Sequence, residues 1–373
     1  MSHAYIIGAG ITKFAHHEDR SVESLAAEAI VMALADAGIG WGRVEQLYAA
    51  HVKQGVAAGQ RVIKQVGPSG IPVLNVENCA AAGSTAVREA SLAVRAGEFD
   101  VVVVAGFEKM EPGLLSVFPA ADPRVVMGMT VLPMRFALMG AKHMHEYGTT
   151  IEQFARISVK NHEHAVHNPN AQYPKCVTLQ QVLESRMICD PITVLQCSPT
   201  SDGAAAVVIC SESFLRKHGA GRAVRVVASG LTSDSDEQAH NVHTLELMER
   251  ASRQAYERAG MAPEDVDVAE THDCFTVSEV ISYEALGLCA KGEGGRLVDE
   301  RATWIGGRIP VNPSGGLLAR GHPLGATGVA QICELATQLR GEAGARQVEG
   351  AQIGLAANTG MWSCCVTLLA KAG

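Results

Sequence analysis

A chain of 373 residues, 47% hydrophobic and 19% charged, can bury a large core and is long enough for two or more packed units. A net charge of −8 with no lysine or arginine run excludes a general nucleic-acid binder, so an anionic substrate would need a local basic pocket. No window holds about 18 uninterrupted apolar residues, so no membrane span is predicted, and ten cysteines without a signal-peptide pattern predict free thiols in a reducing, cytoplasmic compartment.

The first predicted strand is Ala4 to Gly8. Gly8 and Gly10 invite a dinucleotide-binding reading, but the third glycine and the acidic residue closing a second strand are missing. Ser21 caps an amphipathic helix, Val22 to Ala37, that stops at Gly38, and a strand follows around Glu45 to Ala50. Next comes Asn75-Val-Glu-Asn-Cys79-Ala-Ala-Ala-Gly-Ser84, leading into an alanine-rich helix from Ser84 to Val94. Cys79 is thus predicted on the turn that opens a helix, where free N–H groups and the positive dipole end favour thiolate, and Gly83 would let the chain approach a ligand closely. Strands at Val101 to Ala105 and Ala204 to Cys210 flank a segment, Glu111 to Cys197, rich in Met, Pro and His with isolated short helices. It reads as an inserted domain over one end of the sheets. Its cluster Asn161-His-Glu-His164 with His167 does not gather enough ligands on one helix face for a metal, and a solvated face is expected.

The same order returns after residue 220. Ala4 to Thr12 aligns with Val224 to Thr232, Ala29 to Gly38 with Ala251 to Gly260, and each copy continues into a strand ending near His51 or Asp273. A repeat of this length predicts two related α/β halves. Cys79 precedes the third helix of one half and His322 that of the other, so a pseudo-two-fold axis could bring both to one site. The predicted units are residues 1–112 with 198–221, an inserted domain at 113–197, and residues 222–373.

Three further motifs accompany Cys79: Thr271-His272-Asp273-Cys274-Phe275 at a strand end, the glycine-dense Asn312-Pro-Ser-Gly-Gly316 running to Gly321-His322-Pro-Leu-Gly-Ala-Thr-Gly328, and Asn358-Thr-Gly360-Met-Trp-Ser-Cys-Cys365 before the last strand. Together with Lys160-Asn-His and Leu195-Gln-Cys-Ser-Pro-Thr-Ser-Asp-Gly, they make the chain resemble the thiolase family over nearly its whole length. The likeness is to the sterol carrier protein X type branch, which carries His-Asp-Cys-Phe where other thiolases have Asn-Glu-Ala-Phe.

The resemblance implies two duplicated α/β halves in a five-layer αβαβα thiolase fold with an inserted loop domain, a tight homodimer, and, for bacterial members, a small zinc-ribbon partner. It implies acyl transfer between a 3-oxoacyl-CoA and coenzyme A, with coenzyme A as co-substrate and no cofactor or metal. Cys79 would be the nucleophile, His322 its base, Cys274 the acid/base for the enolate and incoming coenzyme A, and His272 part of the first oxyanion site. The backbone N–H groups of Cys79 and Gly360 would form the second. The chain departs from the family at Met361-Trp362-Ser363-Cys364-Cys365, one residue shorter than the usual small-residue run; Trp362, with Met361, is expected to wall the acyl pocket. The alternatives are a retro-aldolase or carbon acyltransferase on the same fold, or a non-catalytic acyl-CoA-binding subunit.

Overall fold

The computed structural model describes residues 2–113, 123–126, 132–219, 221–236 and 245–372. In chain order its strands are β1 (Ala4–Ile11), β2 (Gln46–Ala50), β3 (Val73–Val76), β4 (Val101–Glu108), β5 (Met187–Cys189), β6 (Ile192–Thr193), β7 (Gly203–Ser211), β8 (Val224–Ser233), β9 (Val268–Glu270), β10 (Ile353–Thr359) and β11 (Ser363–Lys371). All but β5 and β6 form one mixed sheet in the order β3-β2-β4-β7-β1-β8-β11-β10-β9.

The duplication is visible in that order. Strands β1, β2, β4 and β7 correspond to β8, β9, β10 and β11: β2–β4 and β9–β10 are parallel, while β4–β7–β1 and β10–β11–β8 are antiparallel. The two halves join where β1 runs antiparallel to β8, through Ala4↔Val226, Tyr5↔Arg225 and Ile6↔Val224. The counterpart of β3 is reduced to a single parallel bridge, Ala269↔Val311.

Strand periodicity sorts the side chains into layers. Val102, Val104, Ala205 and Val207 share a core with the inner helices Ala82–Ala96 and Leu324–Arg340, whereas Val101, Val103, Ala204 and Ala206 pack outward on Val22–Ala37. In the second half Leu355, Ala357, Val366 and Leu368 face outward toward Glu246–Ala259. The two halves of the one sheet, each with an outer helix layer and both facing the paired inner helices, supply the five layers expected. The inner helices approach so closely that a Cβ on Gly328 would lie 2.4 Å from the Ser84 nitrogen, and one on Gly83 2.9 Å from the Gly325 carbonyl oxygen. Gly83 therefore serves helix–helix contact rather than the approach of a ligand.

Between β4 and β7 the described chain adds no strand to the main sheet. Two of its helices, Leu132–Tyr147 with 16 residues and Ile151–Ala165 with 15, are longer than the isolated short helices predicted. The second starts at a reciprocal cap between Thr150 and Gln153. Its Asn161, His162 and His164 are buried while Glu163 and His167 are exposed, so the expected solvated face covers only part of the cluster: the helix packs against Thr276–Ala285 and the turn Gly316–Arg320, and Asn161 reaches Glu279.

Candidate active site

A cavity of about 350 Å³ opens where the ends of both halves meet, and Cys79, His272, Cys274, His322, Gly360 and Met361 all line it. Four stretches far apart in the chain are thereby brought together. Cys79 follows β3, His272 and Cys274 follow β9, His322 lies just before the inner helix Leu324–Arg340, and Gly360 and Met361 form the turn between β10 and β11.

Cys79 adopts φ 50°, a left-handed conformation that a residue with a Cβ holds only when its surroundings impose it, and the helix behind it begins at Ala82. Burial pushes the thiol above its ordinary 9.0, against the opposing influence of the Met361 and Ala80 backbone groups that reach the sulfur. The helix start was expected to favour thiolate; here desolvation outweighs it. The Cys79 N–H donates to Glu77 Oε1 at 2.7 Å and the Gly360 N–H to the Ser363 carbonyl at 2.7 Å. Both groups expected at the second oxyanion site are thus engaged within the protein.

The two histidines meet edge to face, ring centroids 5.1 Å apart, and burial holds both well below the usual imidazole range, His272 at about 3. Their neighbours assign opposite tautomers. The Thr327 hydroxyl donates to the Pro323 carbonyl, so at 2.8 Å it accepts from His322 Nδ1, which must carry the proton. His322 Nε2 is then a lone pair. The Asn358 amide nitrogen donates to His272 Nδ1 at 3.2 Å, so His272 carries its proton on Nε2. One ring accepts and the other donates. His322 is further fixed by its N–H, donated to Ser201 Oγ at 2.9 Å.

Cys274 is half-buried on the cavity wall, and its thiol is pushed far up by burial and then by the Asp273 carboxyl, with Ser278 opposing. Asp273, fully buried, accepts from the Leu317 and Leu318 N–H groups at 2.7 and 3.2 Å and from Asn161 Nδ2 at 2.7 Å. Behind it Glu279 pairs with Lys160 and accepts from Asn161 Nδ2 and Asn312 Nδ2 at 2.7 and 2.8 Å. This network links the His272 to Cys274 stretch with the turn that leads to His322. The sequence carried a signal for it in Gly316, whose Cβ would lie 2.2 Å from Asp273 Oδ2. No group of side chains suited to a metal ion occurs among the described residues; His164 accepts from the Ile305 N–H and lies 3.0 Å from the Asn312 carbonyl.

Met361 lines the cavity as expected, but Trp362 does not and is 47% exposed. Of this pair in the bend between β10 and β11, Met361 is the one on the cavity wall. Much of the remaining wall is apolar, with Leu132, Phe136, Met139, Leu245, Met248 and Phe275, and it is interrupted by Arg135, Arg186, Ser198 and Thr200.

Comparison with known proteins finds similarity along nearly the whole chain. Residues 4–213 match the family model described as "Thiolase, N-terminal domain" and residues 228–371 that described as "Thiolase C-terminal domain-like". The chain is 43% identical to sterol carrier protein 2 of Bos taurus, covering 99% of this chain and 72% of that one. It is 41% identical to an acetyl-CoA acetyltransferase of Methanothermobacter thermautotrophicus, covering 96% and 97%. Among solved structures, the Ltp2-ChsH2(DUF35) aldolase superposes with a TM-score of 0.89 at 26% identity, covering 99% of this chain and 98% of that one.

Proposed function

The chain belongs to the thiolase family and is an acyltransferase, and from that membership we propose how its cavity moves an acyl group between a 3-oxoacyl-CoA and coenzyme A. The observation that carries the reading is the convergence of two thiols and two oppositely tautomeric histidines on one cavity. His322 Nε2, the lone-pair nitrogen, takes the Cys79 proton, and the thiolate attacks the 3-keto carbon. The bond between C2 and C3 breaks. The acyl group stays on Cys79 as a thioester, and the enolate of the departing acetyl-CoA takes its proton from Cys274. His272, donating from Nε2, and the imidazolium of His322 stabilise the negative oxygen of that enolate. Cys274, now a thiolate, removes the proton of incoming coenzyme A, whose sulfur attacks the thioester and frees Cys79. For the second oxyanion, the Cys79 and Gly360 N–H groups must leave Glu77 and Ser363, so substrate binding has to rearrange both contacts. The chemistry calls for coenzyme A as co-substrate and for no metal or other cofactor.

The likeness to an aldolase supports a second reading, carbon–carbon cleavage without acyl transfer. Retro-aldol cleavage needs no acyl-enzyme, however, and both cysteines and both histidines of the acyl-transfer chemistry are in place.

We propose a homodimer built on β3, an edge strand whose Leu74 is 46% exposed. The DUF35 component in the name of the similar aldolase supports a small zinc-ribbon partner here too. All ten cysteines are free thiols, in keeping with a cytoplasmic setting, and no described helix is long and apolar enough to cross a membrane.

The test is peptide mapping after incubation with acetoacetyl-CoA, in the protein and in Cys274→Ala. Label is expected on Cys79 in both, with the acyl-enzyme persisting longer in the variant because coenzyme A is not deprotonated. Label on Cys274 or Cys364 with none on Cys79 overturns the assignment.

A further inference from the structure

We infer that the acyl group this cavity is built for carries a carboxylate at its far end, and that Arg135 receives it. The inference rests on the acyl-transfer reading above and names the substrate class of the same site. Arg135 lies on helix Leu132–Tyr147 and lines the cavity together with Cys79 and Cys274. It is half-buried, and its Nε is enclosed with no hydrogen-bond partner. Among the described residues no carboxylate forms an ion pair with it; Asp234 acts on it only through its field, and burial disfavours its charge. Leu132, Phe136, Met139, Leu245 and Met248 line the same cavity and offer the guanidinium no acceptor from their side chains.

An uncompensated cation in such a setting selects among ligands. A methyl-ended acyl chain filling the cavity would strip water from the guanidinium and return nothing, which is the costly way to bury a charge. A carboxylate would meet the fork of N–H donors in the paired geometry that arginine favours. The other anions a substrate brings are the phosphates of coenzyme A. These are separated from the thioester by the whole pantetheine arm, whereas Arg135 lines the same cavity as Cys79 and Cys274. The group that meets Arg135 therefore lies within that cavity, on the acyl side. With a net charge of −8, the protein gains little attraction for anions from its overall field, so a local cation of this kind is what such a substrate requires.

The experiment compares kcat/KM for thiolysis of 3-oxoadipyl-CoA and its longer homologues with methyl-ended 3-oxoacyl-CoAs of matched length. It uses the protein, Arg135→Met and Arg135→Lys, with KM for coenzyme A as a further readout. The protein should prefer the carboxylate-ended series. Arg135→Met should lower that series about ten- to a hundredfold, as expected for losing a charged hydrogen-bonded pair, and lower the methyl-ended series far less. Arg135→Lys should fall between. No preference in the unmodified protein overturns the inference whether or not the variants fold. An equal fall on both series, or a rise in KM for coenzyme A shared by both, overturns it too and moves Arg135 to Cys274 or to the coenzyme. If the unmodified protein cleaves neither series and Cys79 takes no acyl label, the acyl-transfer reading itself has failed, and the inference with it.

Discussion

Asp273→Asn is the change that most directly tests how the site is held. The carboxylate accepts three hydrogen bonds, from the Leu317 and Leu318 N–H groups at 2.7 and 3.2 Å and from Asn161 Nδ2 at 2.7 Å, and it is fully buried. An asparagine of the same shape offers one oxygen. If that oxygen keeps Leu317, the new amide nitrogen faces two donors, Leu318 N–H and Asn161 Nδ2, and neither can be satisfied. Each hydrogen bond to a charged acceptor is worth about 1.5–3 kcal/mol. Removing the charge also relieves repulsion from Glu279, which together with burial raises the Asp273 carboxyl well above its ordinary range. The net cost should be about 3 kcal/mol, read as a lower urea midpoint at unchanged slope. Because the same carboxylate holds the turn before His322 and lies next to Cys274, kcat should fall about ten- to a hundredfold with KM little altered. Asn161→Ala, which deletes one donor and leaves the Leu317 and Leu318 contacts, should cost less on both readouts. A loss under about 1 kcal/mol with kcat intact would refute the bracing role.

Two other outcomes follow from the same coordinates. Alkylation of Cys79 by iodoacetamide in the substrate-free protein should keep rising through pH 9.0, since burial raises the thiol above that value and the thiolate forms only as pH passes the raised pKa; a plateau near neutral pH would show that the helix start wins after all. Trp362→Gly should leave the order of acyl-chain preference unchanged, because the indole lies outside the cavity; a changed order in substrate profiling would return Trp362 to the acyl wall.

Much of this architecture could be read in the chain because duplication writes it twice. The alignment of Ala4 to Thr12 with Val224 to Thr232 marks β1 and β8 as equivalent strands, though not that they pair with each other, and Cys79, His272, Cys274 and His322 are named from their motifs. What escaped was set by packing across long separations. Asn161 reads as a solvated polar residue in the cluster Asn161 to His164, beyond the apolar Phe154, Ala155 and Ile157 of the same helix, and the approach of Asp273, 112 residues away, makes it interior. The direction of Trp362 depends on a turn closed by the Gly360 N–H on the Ser363 carbonyl, which composition does not reveal. The state of the Cys79 thiol is a balance between a helix end and burial, and burial is not visible until the fold encloses the residue.

The duplication also explains why Cys79 and His322 meet at one cavity. Cys79 and His322 stand three and two residues ahead of the inner helices Ala82–Ala96 and Leu324–Arg340, and those helices touch through Gly83, Gly325 and Gly328. The spacing of nucleophile and base is therefore governed by a contact between two backbones, stiffer than any pair of long side chains. Glu108 reinforces it from below, accepting from the Val52, Lys53 and Gly325 N–H groups at 2.9, 2.9 and 3.0 Å, so one buried carboxylate ties the first half to the turn entering the second inner helix. Symmetry alone would give equivalent helix starts. What differentiates them is local: a thiol on one, and on the other an imidazole whose lone pair is fixed by the Thr327 hydroxyl. Both groups are neutral at rest, because burial raises the thiol and lowers the imidazole. An ion pair between them is unfavourable in the empty cavity and becomes productive only when a substrate carbonyl takes up the negative charge, which couples proton transfer to the presence of the acyl group it serves.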